Sequence, residues 1–282
     1  MLGVNLNEIE IVNKATQGEF IIDNKSEIVK LLIKNEFGKY DKKDNFSYDE
    51  LLSIKENVLN TISKCESDFT RPKWEDYVKK QINKYSKNLE MFDNINNKLT
   101  NVKSIQIYKN ELNIIELLNN IKLEKIAFIL LVYCKIGRVL RNNDSKWITQ
   151  KLSYIFKEAK IIGNNKSKMK MLNELCKNVY DGENEYIDCN LDGRKTSIEV
   201  KYINDNLDKN VEFEINNFDG VVYEYLKYKG EKWKQCKDCG KWFQIKNKKN
   251  TSKIRCNKCQ NIKNIKNKKE INKKYYNNNK IN

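Results

Sequence analysis

The chain has 282 residues, 39% of them hydrophobic and 33% charged, with a formal charge of +16. That length and apolar content allow two or three domains with sizeable cores and exclude a wholly disordered chain. The lack of histidine excludes histidine-dependent acid–base catalysis, and it requires any closed protein metal site here to be built from cysteine.

The positive charge is segregated. Residues 231–282 hold 17 Lys or Arg against Glu231, Asp238 and Glu270, whereas residues 1–230 hold 37 against 35. A basic end on a nearly neutral body attracts polyanions. The abundance of Lys, Asn and Ile is that of an AT-rich genome, but such bias raises lysine everywhere and does not collect it at one end. The longest apolar run, Ile126–Cys134, is too short to span a bilayer. Met1–Val12 lacks a basic stretch followed by a long apolar run, so no signal peptide is expected. A cytoplasmic protein with no membrane partner is the expectation.

In chain order, residues 1–120 read as a helical scaffold or interaction domain, with room for a protein partner. Ser47-Tyr-Asp-Glu50 is a capping box that opens a helix with Leu51, Leu52, Ile54 and Val58 on its apolar side. Pro72 and Trp74 mark the start of the next helix. A further helix is predicted over Glu111–Ile121.

Residues 121–230 read as a winged-helix-like domain. Leu123–Leu140 predicts a buried helix, Trp147–Lys160 a second and Ser167–Val179 a third. Alternating strands at Tyr186–Leu191 and Thr196–Tyr202 flank Asp192-Gly193, a hairpin-turn signal. In a winged helix the third helix enters the major groove and the wing touches neighbouring backbone. Met169, Leu172, Cys176 and Val179 then form the core side of the third helix, while Lys166, Lys170, Asn173 and Lys177 face outward. Arg194 and Lys195 would sit at the wing tip. Val211–Ile215 and Val221–Tyr228 read as further strand. Cys65, Cys134, Cys176 and Cys189 are scattered and read as small buried side chains.

Residues 231–262 carry the most specific motif. Cys236-Lys-Asp-Cys239 and Cys256-Asn-Lys-Cys259 lie sixteen residues apart, the spacing of a structural zinc site. Each Cys-x-x-Cys turn aims two sulfurs at one point, and Gly240 allows the tight turn behind the first pair. A four-cysteine zinc ribbon with one structural Zn²⁺ is predicted, with Trp242 and Phe243 as its core. Lys246, Lys248, Lys249, Lys253 and Arg255 lie between the two pairs and are candidates for nucleic-acid contact. Residues 263–282 read as a basic tail, a short helix or disordered, in which Lys263, Lys266, Lys268, Lys269, Lys273 and Lys274 are candidates for phosphate contact.

Leu123-Glu-Lys-Ile-Ala-Phe-Ile-Leu-Leu-Val-Tyr, Trp147-Ile, Phe156-Lys-Glu-Ala-Lys and Trp233-Lys-Gln-Cys-Lys-Asp-Cys-Gly-Lys-Trp-Phe together resemble uncharacterised proteins from phages and mobile elements of Firmicutes, over roughly residues 20–262. The resemblance implies a phage-linked setting and adds no catalytic residues. The expected fold is therefore mainly α with small β elements: a helical N-terminal domain, a winged-helix-like middle, and a C-terminal zinc ribbon with a basic tail. The expected function is nucleic-acid binding, duplex DNA before RNA, in a regulatory or replication accessory role. Two alternatives stand beside it. Glu199-Val-Lys201 with Asp188 matches part of a Mg²⁺-dependent nuclease motif, although strand alternation alone also explains it. A protein-interaction adaptor docking on polymerase or replication machinery is the other. No Gly-x-x-x-x-Gly-Lys-Ser/Thr loop is present, so ATP hydrolysis has no visible basis.

Overall fold

In the computed structural model, which describes residues 6–19, 25–40, 45–66, 69–87, 102–190, 197–203, 210–245 and 252–278, the chain opens with four helices. They are α1 (Leu6–Thr16), α2 (Lys25–Phe37), α3 (Tyr48–Cys65) and α4 (Arg71–Ser86). Ile9, Val12, Ile28, Leu32, Ile54, Val58, Leu59, Val78 and Ile82 are all buried. The predicted capping box is formed at α3: the Ser47 hydroxyl accepts from Glu50 N–H at 3.2 Å, and the Glu50 carboxylate accepts from Ser47 N–H at 2.9 Å. Pro72 lies in the first turn of α4, where its missing N–H costs no helical bond. The Trp74 indole donates to Glu66 at 2.5 Å, which gives that buried carboxylate a partner.

Strand β1 (Ile105–Tyr108) and helix α5 (Lys109–Glu116) then lead into α6 (Ile121–Arg141). Fourteen of the 21 residues of α6 are buried, so the helix has almost no face for water. It is enclosed by β2 (Trp147–Thr149), α7 (Leu152–Glu158), α8 (Asn165–Lys177) and β4 (Ser197–Val200) together with β1 and α5, while β3 (Ile187–Asn190) packs on α8 and pairs with β4. Strand β5 (Val211–Ile215) returns to pair antiparallel with β1, aligning Ile105 with Ile215. The β2, β3 and β4 strands form one antiparallel sheet in the order β2-β4-β3. Ile148 and Cys189 both pair with Ile198, and Ile187 pairs with Val200. The apolar residues of this set turn inward, with Ile148, Ile187, Ile198 and Val200 all buried.

Two tyrosines pin the hairpin to the helices. Tyr186 Oη donates to the Ile114 carbonyl at 2.8 Å, and Tyr202 Oη donates to the Ala127 carbonyl on α6. A buried ion pair closes the other side of α6. Lys135 Nζ lies 2.8 Å from Glu111, 2.9 Å from the Gln106 carbonyl and 4.2 Å from the centre of the Tyr108 ring. Burial lowers the Lys135 ammonium below the ordinary lysine value, and Glu111 opposes that shift.

These elements belong to one compact unit, Met1–Val221; a second comprises Val222–Asn282. The second holds α9 (Val222–Tyr228), an antiparallel pair of β6 (Trp233–Gln235) with β7 (Trp242–Gln244), and α10 (Asn257–Asn278). The described chain is thus mainly helical with small antiparallel sheets, as the sequence predicts.

Several local expectations need correction. Trp147–Thr149 is a strand rather than the start of a helix, and helix begins only at Leu152. The apolar residues at Trp147, Ile148, Leu152 and Ile155 mimic helical spacing, but pairing of β2 with β4 wins locally. Val222–Tyr228 is a helix rather than a strand. Its buried Val222, Tyr225 and Leu226 repeat at helical spacing, and that period outweighs the β propensity of tyrosine and valine. Strand β1 lies within a stretch read as helical. On α8 the buried residues are Leu172 and Leu175, and Met169 and Cys176 are half-buried; Val179 lies beyond the helix end and is exposed. Of the four scattered cysteines, Cys134 is buried while Cys65, Cys176 and Cys189 are half-buried.

Truncating Ile129, which is fully buried in α6, should cost about 2–5 kcal/mol through lost contacts and a residual cavity. Denaturant unfolding of Ile129→Ala measures this directly. Metal stoichiometry should be unchanged, because the paired cysteines all lie in the other unit.

Candidate metal centre and basic helix faces

The second unit has few large side chains with which to build a core. Tyr223 on α9 stacks on Trp242 with ring centres 5.1 Å apart, and it lies 4.4 Å from Trp233. Glu231 accepts from both the Trp233 indole and the Gln244 amide at 2.8 Å. Trp242 is therefore half-buried in an aromatic stack, and Phe243 is half-buried with Lys253 Nζ 5.7 Å from its ring centre. So small a cluster needs a further crosslink.

The four cysteines supply it. The β6–β7 connection turns at Cys236-Lys-Asp-Cys239, where Gly240 N–H donates to the Cys236 carbonyl at 2.8 Å. Gly240 has φ +67°, a conformation that favours glycine. The second pair meets the start of α10: Cys256 directly precedes the helix, and Cys259 lies in its first turn. Lys237 N–H donates to the Ile254 carbonyl at 3.1 Å, and Arg255 Nε lies 2.7 Å from Asp238, so the two turns are tied together beside the sulfurs.

All four Sγ atoms lie within 4.8 Å of one another, and Cys239 Sγ is 3.8 Å from Cys256 Sγ. Four thiolates about 2.3 Å from a central ion have edges of about 3.8 Å. The sulfurs are thus close enough together for one thiophilic metal ion to take all four. The local hydrogen bonding favours a thiolate at Cys236 and the thiol form at Cys259. Burial opposes ionisation of Cys236, but backbone hydrogen bonds from Cys256, Asp238 and Cys239 outweigh it and bring its thiol down to about 6. Hydrogen bonds with Cys239 and Cys256 push Cys259 up to about 12. The N-terminal end of α10 also presents positive dipole to the second pair.

Between its first turn and Asn272, α10 has no packed face. Residues 261–272 are all exposed, including Lys263, Lys266, Lys268 and Lys269. Lys273 and Lys274 fall within the same helix. The tail predicted as helix or disorder is therefore helical to Asn278. Lys253 and Arg255 sit inside the metal module, engaged with Phe243 and Asp238 respectively. Lys246, Lys248 and Lys249 lie outside the described residues.

In the first unit, α8 carries a second basic face. Asn164 caps the helix by accepting from Ser167 N–H at 2.9 Å. A Cβ at Gly163 would approach Ser167 Oγ to 2.7 Å, and Gly163 has φ +153°, so the turn into α8 needs glycine. Lys166, Lys170, Asn173 and Lys177 are exposed and line one shallow groove with Met169 and Glu174. The structure brings together this predicted set, while Arg194 and Lys195 lie outside the described residues.

Asp188 and Glu199 occupy opposite positions on β3 and β4. Lys201, however, is held by Glu185 at 3.0 Å. Among the described residues no third donor side chain converges on Asp188 and Glu199 to complete a metal-binding group. The fitted role of this pair is the outward side of a sheet. Sequence reading did not detect α9 as part of the metal module; the alternation of Tyr223 with buried neighbours at helical spacing was the available signal.

No helix among the described residues is long and apolar enough to cross a membrane. Comparisons with protein-family models, curated proteins and solved structures find no match.

Replacing Cys256 or Cys259 with Ser should abolish tight binding of a thiophilic metal ion and reduce far-UV helical signal, because residues 261–272 of α10 are exposed and the helix starts at the thiol site. The same loss should follow a strong chelator acting on the intact protein. Metal titration followed by circular dichroism tests both, and unchanged helicity after metal removal would contradict the anchoring role.

Proposed function

We propose that the chain is a zinc-containing, duplex-DNA-binding protein in which residues 121–230 act as a winged-helix-like domain and residues 231–262 as a zinc ribbon. The observation that carries this reading is the placement of the lysine face on α8. That helix is the third in the order helix, strand, helix, helix, hairpin, with the strands arranged β2-β4-β3. It is the helix that a winged-helix protein lays in the major groove. Its exposed Lys166, Lys170 and Lys177 provide phosphate contacts, and Asn173 provides a side chain able to read a base edge.

Zinc is the ion best suited to Cys236, Cys239, Cys256 and Cys259, since it accepts four thiolates in a closed tetrahedron without redox chemistry. Its role would be structural: holding the two turns together and fixing the start of α10. Thiolates of this kind belong in a reducing compartment. The basic charge of the C-terminal unit supplies the sequence-independent part of binding. The resemblance of Leu123–Tyr133 and Trp233–Phe243 to phage and mobile-element proteins supports a regulatory or replication accessory setting. Residues 1–120 are then a scaffold or a surface for a protein partner.

Elemental analysis of reduced protein should find one zinc per chain. Binding to duplex DNA should weaken steeply with salt. Deleting residues 261–282 removes seven lysines and Glu270. That deletion should lower the slope of log affinity against log salt by about two to five, at roughly 0.9 per lost phosphate contact, and leave zinc bound. In full-length protein, Lys166→Gln with Lys170→Gln and Lys177→Gln should weaken binding to all duplexes, whereas Asn173→Ala should chiefly change preference among sequences. Absence of salt-sensitive binding by the zinc-loaded protein would overturn the reading. Mg²⁺-dependent cleavage of the probe would favour the nuclease alternative.

A further inference from the structure

Helix α10 carries a chemical pattern that a merely basic tail would not need. At about 100° per residue, Asn257, Gln260, Asn261, Asn264, Asn267 and Asn272 fall within an arc of about 140°. Gln260 donates to Asn264 at 2.9 Å, which shows two of these amides meeting on one side of the helix. Ile271 falls inside the same arc and is exposed, with nothing packed over it. Lys258 and Lys269 border the arc on one side and Lys263 on the other. Lys268 lies within it, and Lys266 lies opposite. The helix thus separates amides from most of its lysines.

This arrangement does not serve the stability of the helix. Asn and Ile are poor or middling helix formers, and Lys263, Lys266 and Lys269 repeat at a spacing that brings like charges together. Residues 261–272 are exposed all round, so no tertiary packing compensates. The first turn carries Cys259 and follows directly on Cys256, and the exposed stretch 261–272 carries the amide stripe.

We infer that α10 is itself a major-groove reading helix for A·T-rich duplex DNA, with its amide stripe against base edges and the bordering lysines against the phosphates on either side. This inference rests on the DNA-binding reading above and adds a second reading helix to it. The groove is about 12 Å wide and admits one α-helix. Asn and Gln pair bidentately with adenine N6 and N7, and an exposed aliphatic side chain such as Ile271 suits the thymine methyl. Lysines bordering the stripe reach the groove walls as flexible point charges. Charge complementarity selects the polyanion, and the amides with Ile271 select A·T pairs.

The test uses the full-length, zinc-loaded protein and three duplexes of one length: A·T-rich, G·C-rich, and A·T-rich with 7-deazaadenine replacing adenine. The last lacks the major-groove N7 acceptor and keeps the minor groove. Wild type should prefer the A·T-rich duplex by at least about 10-fold and lose much of that preference with 7-deazaadenine. Asn261→Ala with Asn264→Ala and Asn267→Ala favours helix, so helicity by circular dichroism should be kept or raised. That variant should lose the A·T preference while keeping the wild-type salt slope. Lys263→Gln with Lys269→Gln should lower the slope by roughly 0.9 per contact and weaken all three duplexes alike. Wild type that binds duplexes without A·T preference, or a triple-alanine variant that keeps it, overturns the groove inference alone. Wild type that binds no duplex at low salt overturns the DNA-binding reading and this inference with it.

Discussion

With 14 of its 21 residues buried, α6 leaves almost no surface for water, and the elements around it must be placed to cover it. A helix of this kind cannot end a domain or lie on its rim. Strand β1 and α5 take one side, where Lys135 and Glu111 share a buried ion pair. The β3–β4 hairpin takes another, fixed through Tyr202 to the Ala127 carbonyl. Helix α8 is held with Leu172 and Leu175 inward, and this is what turns Lys166, Lys170, Asn173 and Lys177 outward. The basic face is thus a consequence of how α6 is enclosed.

The second unit solves a different problem. It has an aromatic stack of Tyr223, Trp233 and Trp242 and one short buried helix side, Val222, Tyr225 and Leu226. Four converging sulfurs replace the missing core. The same crosslink starts α10, since Cys256 and Cys259 sit at its first turn. A metal ion would therefore do two things at once: close the ribbon and fix the origin of a helix that is exposed from 261 to 272. Binding by α10 would then depend on the metal without the metal touching the ligand.

The two basic helix faces differ in how they are supported. That of α8 stands on a packed core and should persist without metal. That of α10 stands on the thiolate site and on whatever polyanion it meets, so its order couples to binding. If both helices bind DNA as proposed, their lysines, as flexible point charges, would give salt-sensitive affinity, and discrimination between sequences would have to come from the amides.

The cysteine spacing, the capping box at Ser47, the burial of α6, the lysine side of α8 and the basic C-terminal charge were all legible in the sequence, because each depends on residues close in the chain. Register and periodicity over a few residues are local properties, and local steric and hydrophobic rules decide them. Strand β2 was not legible, because Trp147, Ile148 and Thr149 become a strand only by pairing with residues 197–199. The pairing of β1 with β5 has the same cause across about a hundred residues. The sequence also held the amide pattern of α10, but the helix on which it becomes a stripe was one of two readings. Only the tertiary structure decided that Arg255 is tied to Asp238 and that α9 gives Tyr223 to the metal module. Those contacts join residues distant in sequence, and their strength comes from shared burial and geometry that no local pattern encodes.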